Sequence, residues 1–313
     1  MIRRILALPA GRLAVGFLLF ITFLAVCGPS LAPYDPLAGS DDILAHPSAA
    51  HWLGTDYLGR DVLSRILSGS TISVFGAVQV AVIALFVGAV PGVLSVYLGR
   101  VFEWFTLRFV DTLIALQFLV FAVAATALLG NGIPQAMLTV GILVSPLFYR
   151  VSRAATLSVA KSQYVESAIL AGARIDWIVR THVFSKVLPP IAIATANTLG
   201  IGFVVVSTLT FLGIGIQPPS PSWGGVLASD LGYLNYRPYA PFFTTVLIML
   251  TVWAFNLLAD VIRDVAGESG RTLLAERHAV RTGRRRSRTL SRAERAKRAE
   301  VSKGGAPAGR SSS

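Results

Sequence analysis

Residues 112–149 read TLIALQFLVFAVAATALLGNGIPQAMLTVGILVSPLFY, thirty-eight positions without an Asp, Glu, Lys or Arg. A helix needs about 20 apolar residues to cross a hydrocarbon core ~30 Å thick, so this stretch is too long for one span. Gly130-Asn131-Gly132-Ile133-Pro134 interrupts it with a turn signal. The reading is two spans joined by a tight hairpin. The flanking segments are continuously apolar, whereas strands of a membrane barrel alternate apolar and polar residues, so helices are predicted.

Working outward, charge is also excluded from residues 13–34, 66–99, 187–229 and 238–259. Over the 313 residues only 14% are charged and 54% are hydrophobic, and the mean hydropathy is +0.65. A soluble domain carries about 25% charged residues, and a soluble core of this length cannot hide so much apolar surface. Six spans are predicted, at about 13–32, 71–98, 109–129, 133–151, 188–212 and 242–261, which makes an all-α membrane protein. With the N-terminus inside, twenty-five of the twenty-eight Lys and Arg fall on the cytoplasmic side. Only Arg60, Arg65 and Arg237 fall outside. Such an asymmetry fixes the expected orientation, with both termini cytoplasmic in an inner membrane.

Three regions follow. Residues 1–69 hold the N-terminal end, the first span and a polar outer segment. Residues 70–264 hold five spans and an inner loop, 152–187. Residues 265–313 form a basic tail, expected to be disordered because it has little apolar surface to bury. Fourteen basic residues lie from Arg263 onward, which suits a tail drawn to anionic lipid headgroups and not a nucleic-acid partner. The single cysteine, Cys27, excludes an internal disulfide and a multi-cysteine metal site. It reads as a small hydrophobe in an uncleaved first span.

The spans carry no catalytic constellation. There is no His-Glu-x-x-His pair, and His46, His51, His182 and His278 are scattered. Asp111 and Asp260 sit near the inner ends of their spans, so no acidic residue falls at mid-depth. Metal or acid–base chemistry needs ionisable groups gathered together, and ion-coupled transport usually places them at the midplane. A phosphate-binding loop is missing too: residues 304–311, the nearest approach, have Arg where Lys is needed and follow no strand. The chain is therefore read as no enzyme, with no cofactor or metal of its own.

The inner loop is different. Glu166-Ser167-Ala168 begins a short helix that Gly172 should end, since glycine is favoured just past a helix end. Asp176 is a plausible N-cap for a second, amphipathic helix. The small residues Ser167, Ala168, Ala171 and Ala173 permit close approach by another surface. From composition alone the loop is equally a helical connector lying on the membrane.

This loop resembles the cytoplasmic loop of permease subunits of bacterial ATP-binding-cassette importers: Glu-Ala-Ala, three residues, Gly, nine residues, then Ile-x-Leu-Pro. Glu166, Ala168 and Gly172 match in spacing. Ser167 replaces the first Ala, His182 and Phe184 stand at the Ile and Leu positions, and Ser185 replaces the Pro. Residues 51–65, HWLGTDYLGRDVLSR, and 217–224, QPPSPSWG, resemble the dipeptide/oligopeptide/nickel branch of that family. The resemblance extends over about residues 13–264. It implies a type I importer permease fold and a subunit forming half of a translocation pathway. The implied partners are a second homologous permease, two cytoplasmic ATPases that bind the ATP, an external substrate-binding protein, and lipid. Glu166, Ser167, Ala168 and Gly172 would seat on an ATPase as the coupling element. The implied solutes are di- or oligopeptides, or else nickel or a small peptide-like solute such as glutathione.

Smaller features stay open at this level. Pro91, between Gly88 and Gly92, suits either a hinge or a kink in a packed helix. Gly200 and Gly202 suit close helix packing. Gln79 and Asn197 are polar groups at lipid depth and are the two candidates for lining a pathway. Gly54-Thr55-Asp56 and Arg60-Asp61 suit an outer folded segment beneath a binding protein, or a turn with local ion pairs.

Overall fold

The computed structural model describes residues 2–130, 132–170, 172, 177, 184–216 and 219–267. The chain divides into two units, Met1–Arg263 and Asp264–Ser313; everything below concerns the first, except the last residues of the final helix. The helices, in order, are α1 (Ile2–Ala7), α2 (Pro9–Leu31), α3 (Val62–Leu94), α4 (Arg100–Ala115), α5 (Phe118–Leu129), α6 (Ile133–Ala160), α7 (Gln163–Leu170), α8 (Phe184–Phe211), α9 (Trp223–Gly232) and α10 (Ala240–Gly267). Among the described residues the only β pairing is a single bridge, Thr55 to Asp61.

Four helices, α2, α3, the 186–211 part of α8, and α10, are long and apolar enough to cross a membrane. The expected fourth span is α6, 28 residues and about 42 Å long. It is less apolar than the others because it is the central helix and packs on α3, α4, α5 and α8. The expected third span, 109–129, is not one straight helix. It breaks at Leu116-Gln117, both extended, and α4 and α5 meet at 100°. Arg100, Glu103, Arg108 and Asp111 make α4 too polar to continue α5 into lipid. Instead Glu103 pairs with Arg153 of α6, and Thr106 Oγ1 lies 2.9 Å from the Tyr149 hydroxyl. The twelve residues of α5 reach about 18 Å, short of the ~30 Å core.

α3 begins earlier than expected, at Val62, because Asp61 caps it. The Asp61 carboxylate accepts from Ser64 N at 2.8 Å and Ser64 Oγ at 2.7 Å, supplying an acceptor to the helix's unpaired first-turn amides. Thus α3 is 33 residues long, and its first turns rise out of the lipid-depth layer into the outer segment.

Prolines inside the helices free carbonyls four residues back, and neighbouring hydroxyls take them up. Pro29 frees Ala25 O, which accepts from Thr71 Oγ1 of α3 at 2.7 Å. Pro146 frees Ile142 O, which accepts from Ser145 Oγ at 2.7 Å. Pro91 follows a π-helical turn, Leu85–Ala89, a widened turn of the kind that accommodates a local break in the ladder.

α3 and α6 are pressed together at glycine. A methyl group on Gly88 would overlap the Ser145 carbonyl and approach Phe148 Cβ to 2.7 Å. One on Gly92 would come within 2.7 Å of Tyr149 O, and one on Gly141 within 2.6 Å of Ile83 Cβ. Gly88 and Gly92 are four apart, the small-residue spacing that lets two backbones touch in a membrane. Pro91 therefore lies in a packed kink. Gly202 is looser, 3.4 Å from Val80. The core runs along this seam and continues through Phe203, Val206 and Leu209 of α8. Over its outer end Trp223 is wholly buried: its Nε1 donates to Ile66 O at 2.8 Å, and its ring meets Phe203 edge-on at 5.3 Å.

Gly88→Ala is expected to lower stability by about 1–3 kcal/mol, because backbone stands where the methyl must go, whereas Gly202→Ala should be near neutral. Thermal unfolding of the two variants in the same detergent tests the pair; equal melting temperatures would contradict this packing.

Candidate functional site

The two ends of the helical body differ in chemistry. At one end α7 is fastened by Val165, which is buried with Val159 of α6 and Val187 of α8. Val93 and Tyr97, at the end of α3, and Ile191 pack on the same cluster. One eight-residue helix thus touches the ends of three long ones. Gln163, Ser167 and Leu170 are all exposed, at the i, i+4, i+7 spacing of a single stripe. Leu170 is 83% exposed, and the Ser167 hydroxyl donates only back to Gln163 O, at 2.8 Å. Glu166 and Ala168 occupy helical positions on α7. Gly172 follows at φ +81°, a left-handed conformation, and no described residue stands where its side chain would be. Ser185 lies in the first turn of α8. The second helix expected from Asp176 falls outside the described residues, apart from Trp177, which is helical and half-exposed.

The two pathway candidates part company. The Gln79 amide donates to Pro134 O at the start of α6, at 3.0 Å. Asn197 is half-buried on α8, in line with the exposed Ile201, Val204, Thr208 and Phe211, a stripe of α8 left open among the described residues.

At the opposite end, residues 32–61 and 213–239 form a cap around buried charge. Asp56, Arg60, Arg65, Asp230 and Arg237 are each at most 6% exposed. Asp56 Oδ1 accepts from the backbone of Leu58 and Arg60 at 2.9 and 3.0 Å. Its Oδ2 takes Arg60 Nε at 2.8 Å and Arg60 Nη2 at 2.7 Å, with Arg65 Nε at 3.5 Å. Arg237 donates to Thr55 O and Leu53 O across the chain, and Tyr57 stacks on Tyr233 at 5.2 Å. The residues around Thr55-Asp56 and Arg60-Asp61 thus form a folded segment with local ion pairs. Sequence reasoning missed that Asp230 and Arg237 join it. One signal was available: the only three basic residues assigned outside, Arg60, Arg65 and Arg237, all belong to this cluster.

Burial pushes the Asp230 carboxyl up to about 6. Asp56 adds to the rise, and Arg237 and Arg65 oppose it. Asp230 Oδ2 has no hydrogen-bond partner. Burial also lowers the Arg237 guanidinium from its usual range, against the pull of Asp230 and Asp56.

Residues 83–267 match the family described as binding-protein-dependent transport system inner membrane components. The chain belongs to that family. This permease is 34% identical over 251 residues to the glutathione transport system permease protein GsiD of Pectobacterium atrosepticum, covering 79% of this chain and 83% of that protein. It is equally similar to the probable D,D-dipeptide transport system permease protein DdpC of Escherichia coli K12, with 34% identity over 79% of this chain and 84% of that one. GsiD of Salmonella typhimurium is 35% identical over 84% of this chain and 86% of its own length. Among solved structures, the inward-facing MetNI methionine ABC transporter overlays with a TM-score of 0.53 at 19% identity, over 65% of the permease and 96% of that chain. The shared part is the permease fold of an ABC importer.

The raised Asp230 carboxyl gives a pH test of the cap. A carboxyl with a higher pKa folded than unfolded favours the folded state most below its ordinary value of 3.8; that contribution is lost as pH rises through about 6. Asp230→Asn should therefore melt higher than the parent at pH 7.5, by on the order of 2–3 kcal/mol, with the gap closing towards pH 4. Thermal unfolding at both pH values measures it, and a gap independent of pH would contradict the assignment.

Proposed function

We propose that this permease forms half of the translocation pathway of an ATP-driven importer and is driven through α7 by ATPases that are separate polypeptides. The carrying observation is the seat of α7: its buried face is fixed to three long helices, and its other stripe is bare and ends in a left-handed glycine. Such a helix can receive force from outside and pass it to the bundle as a rigid body.

In this reading two cytoplasmic ATPases bind the ATP, and each receives one such helix, from this permease and from a second, similar one. ATP-driven closure draws the two helices together. The ends of α3, α6 and α8 follow, the cavity between the permeases changes the face to which it opens, and a solute handed over by an external binding protein enters. The exposed α8 stripe beginning at Asn197 lines the pathway or the seam with the second permease. The solute passes chemically unaltered. Both termini are cytoplasmic, by the distribution of Lys and Arg, which places the charged cap on the outer face. The basic tail beyond residue 267 falls outside the described residues; its charge suits attraction to anionic headgroups.

The solute is a short peptide. The names of the relatives support peptide-like cargo, a D,D-dipeptide in one case and glutathione in the others. Glutathione is accordingly the second reading, with nickel behind it. Competition for uptake by glutathione and by di- and tripeptides, in vesicles holding the whole transporter, separates these.

Gly172→Asp tests the coupling. A non-glycine residue at φ +81° is strained by about 1–2 kcal/mol, and no described residue within 4 Å obstructs it, so the helical body should stay folded with its melting temperature lowered by at most a few degrees. Uptake should fall to background, and co-purification of the ATPases should weaken. Unchanged uptake by this variant would refute the role given to α7.

A further inference from the structure

Between the outer end of α8, the turn 55–65 and α9 lies a pocket of about 350 Å³, within the roughly 300–1,000 Å³ range of small-molecule sites. Arg60, Arg65, Tyr57, Tyr233, Thr210 and Ser222 are among its lining residues. Three buried guanidinium groups, Arg60, Arg65 and Arg237, share the cap with three buried carboxyls, of which Asp61 is already taken by His51 and Ser64. Asp56 already takes Arg60 through one oxygen and two nitrogens. Arg65 is more than nine-tenths buried; its Nη1 donates to Pro36 O at 3.2 Å, and its Nε lies 3.5 Å from Asp56 Oδ2 but makes no hydrogen bond. Buried positive charge without a full complement of acceptors is costly. The first turn of α9, at Ser222 and Gly225, also lines the pocket, adding the positive end of a ten-residue helix. Hydroxyl groups of Thr210 and Ser222, the stacked Tyr57–Tyr233 pair, and the apolar Phe211 and Ile216 complete the lining.

We propose that this pocket receives the carboxylate of a small solute, the C-terminus of a short peptide, at the outer mouth of the permease. An arginine fork matches a carboxylate in shape and charge, and Arg65, which lines the pocket, has its Nε without a hydrogen bond. The assignment rests on the reading of the protein as a peptide importer. It adds a place where cargo released by the binding protein pauses before entering the pathway.

The test uses the whole transporter, both permeases with both ATPases, in lipid nanodiscs without its binding protein, titrated calorimetrically with trialanine and with trialanine amide. Trialanine should bind about tenfold or more tightly than the amide. Arg65→Gln should erase that preference. Because Arg65 also supports the fold, Gly232→Phe provides a second variant: Gly232 lines the pocket, and a Cβ there meets nothing within 4 Å, so a ring can be attached without displacing backbone. The phenyl ring should weaken trialanine binding about tenfold or more without lowering the melting temperature. Equal binding of acid and amide overturns the proposal, as does full binding by Gly232→Phe. So does inorganic phosphate competing as strongly as trialanine, or a Gly232→Phe effect confined to docking of the binding protein. Uptake of trialanine by vesicles containing the parent transporter and binding protein keeps the two readings apart. Absent uptake refutes the peptide importer, whereas normal uptake with no acid–amide preference refutes the pocket alone.

Discussion

The contact of α3 with α6 at Gly88, Gly92 and Gly141 is the constraint from which the rest of the bundle takes its geometry. Lipid offers helices no hydrophobic reason to associate, because the alternative surroundings are just as apolar; close van der Waals contact and interhelical hydrogen bonds have to suffice. Removing the side chain at two positions four apart lets one backbone lie on the other. It places Ser145, Tyr149 and Ser152 of α6 directly against α3. Once that seam is set, α2 docks on the outer half of α3 through Ser70 and Thr71, and α8 closes the far side with Phe203 and Val206. The valine cluster that holds α7 lies at the inner end of the same seam.

The outer cap obeys different physics. Burying five ionised side chains gains little net stability, since desolvation offsets most of the attraction, but it makes the arrangement exacting. Arg237 reaches main-chain carbonyls more than 180 residues away in sequence, and Asp56 gathers two arginines and two amides. Any displacement of 213–239 from 32–61 would strand charge in a dry site. The cap is therefore held in one geometry on top of α3, whose extra outer turns exist because Asp61 starts the helix there.

Much of this was legible in the sequence. The charge-free blocks locate the spans, since excluding charge over about 20 residues leaves few alternatives to lipid. The segment Glu166–Gly172 announces a short helix and its stop, because a glycine in left-handed geometry needs no tertiary context. The break at Leu116-Gln117 was not legible, for neither residue is a helix breaker. It arises because α4 satisfies its charges on Arg150 and Arg153 of α6, a pairing across the fold. The charged cap was half visible: Asp56 and Arg60 are four apart and pair locally, whereas Asp230, in α9, and Arg237, just beyond it, come some 170 residues later.

The kink at Pro91 shows why local sequence left its meaning open. A π turn followed by proline is a weak point in an isolated helix and would serve as a hinge if the segment beyond it were free. Here both flanking glycines are locked on α6, and the segment beyond, through Val93 and Tyr97, shares the valine cluster with α6, α7 and α8. Bending at Pro91 would have to pull Gly92 off Tyr149 and Val93 out of that cluster together. The inner half of α3 is thus mechanically part of α6. On the proposed coupling role, a displacement of α7 would be carried by the α3–α6–α8 ends as one body, and relative movement would fall to the places the seam does not hold, the α4–α5 break and the exposed stripe of α8.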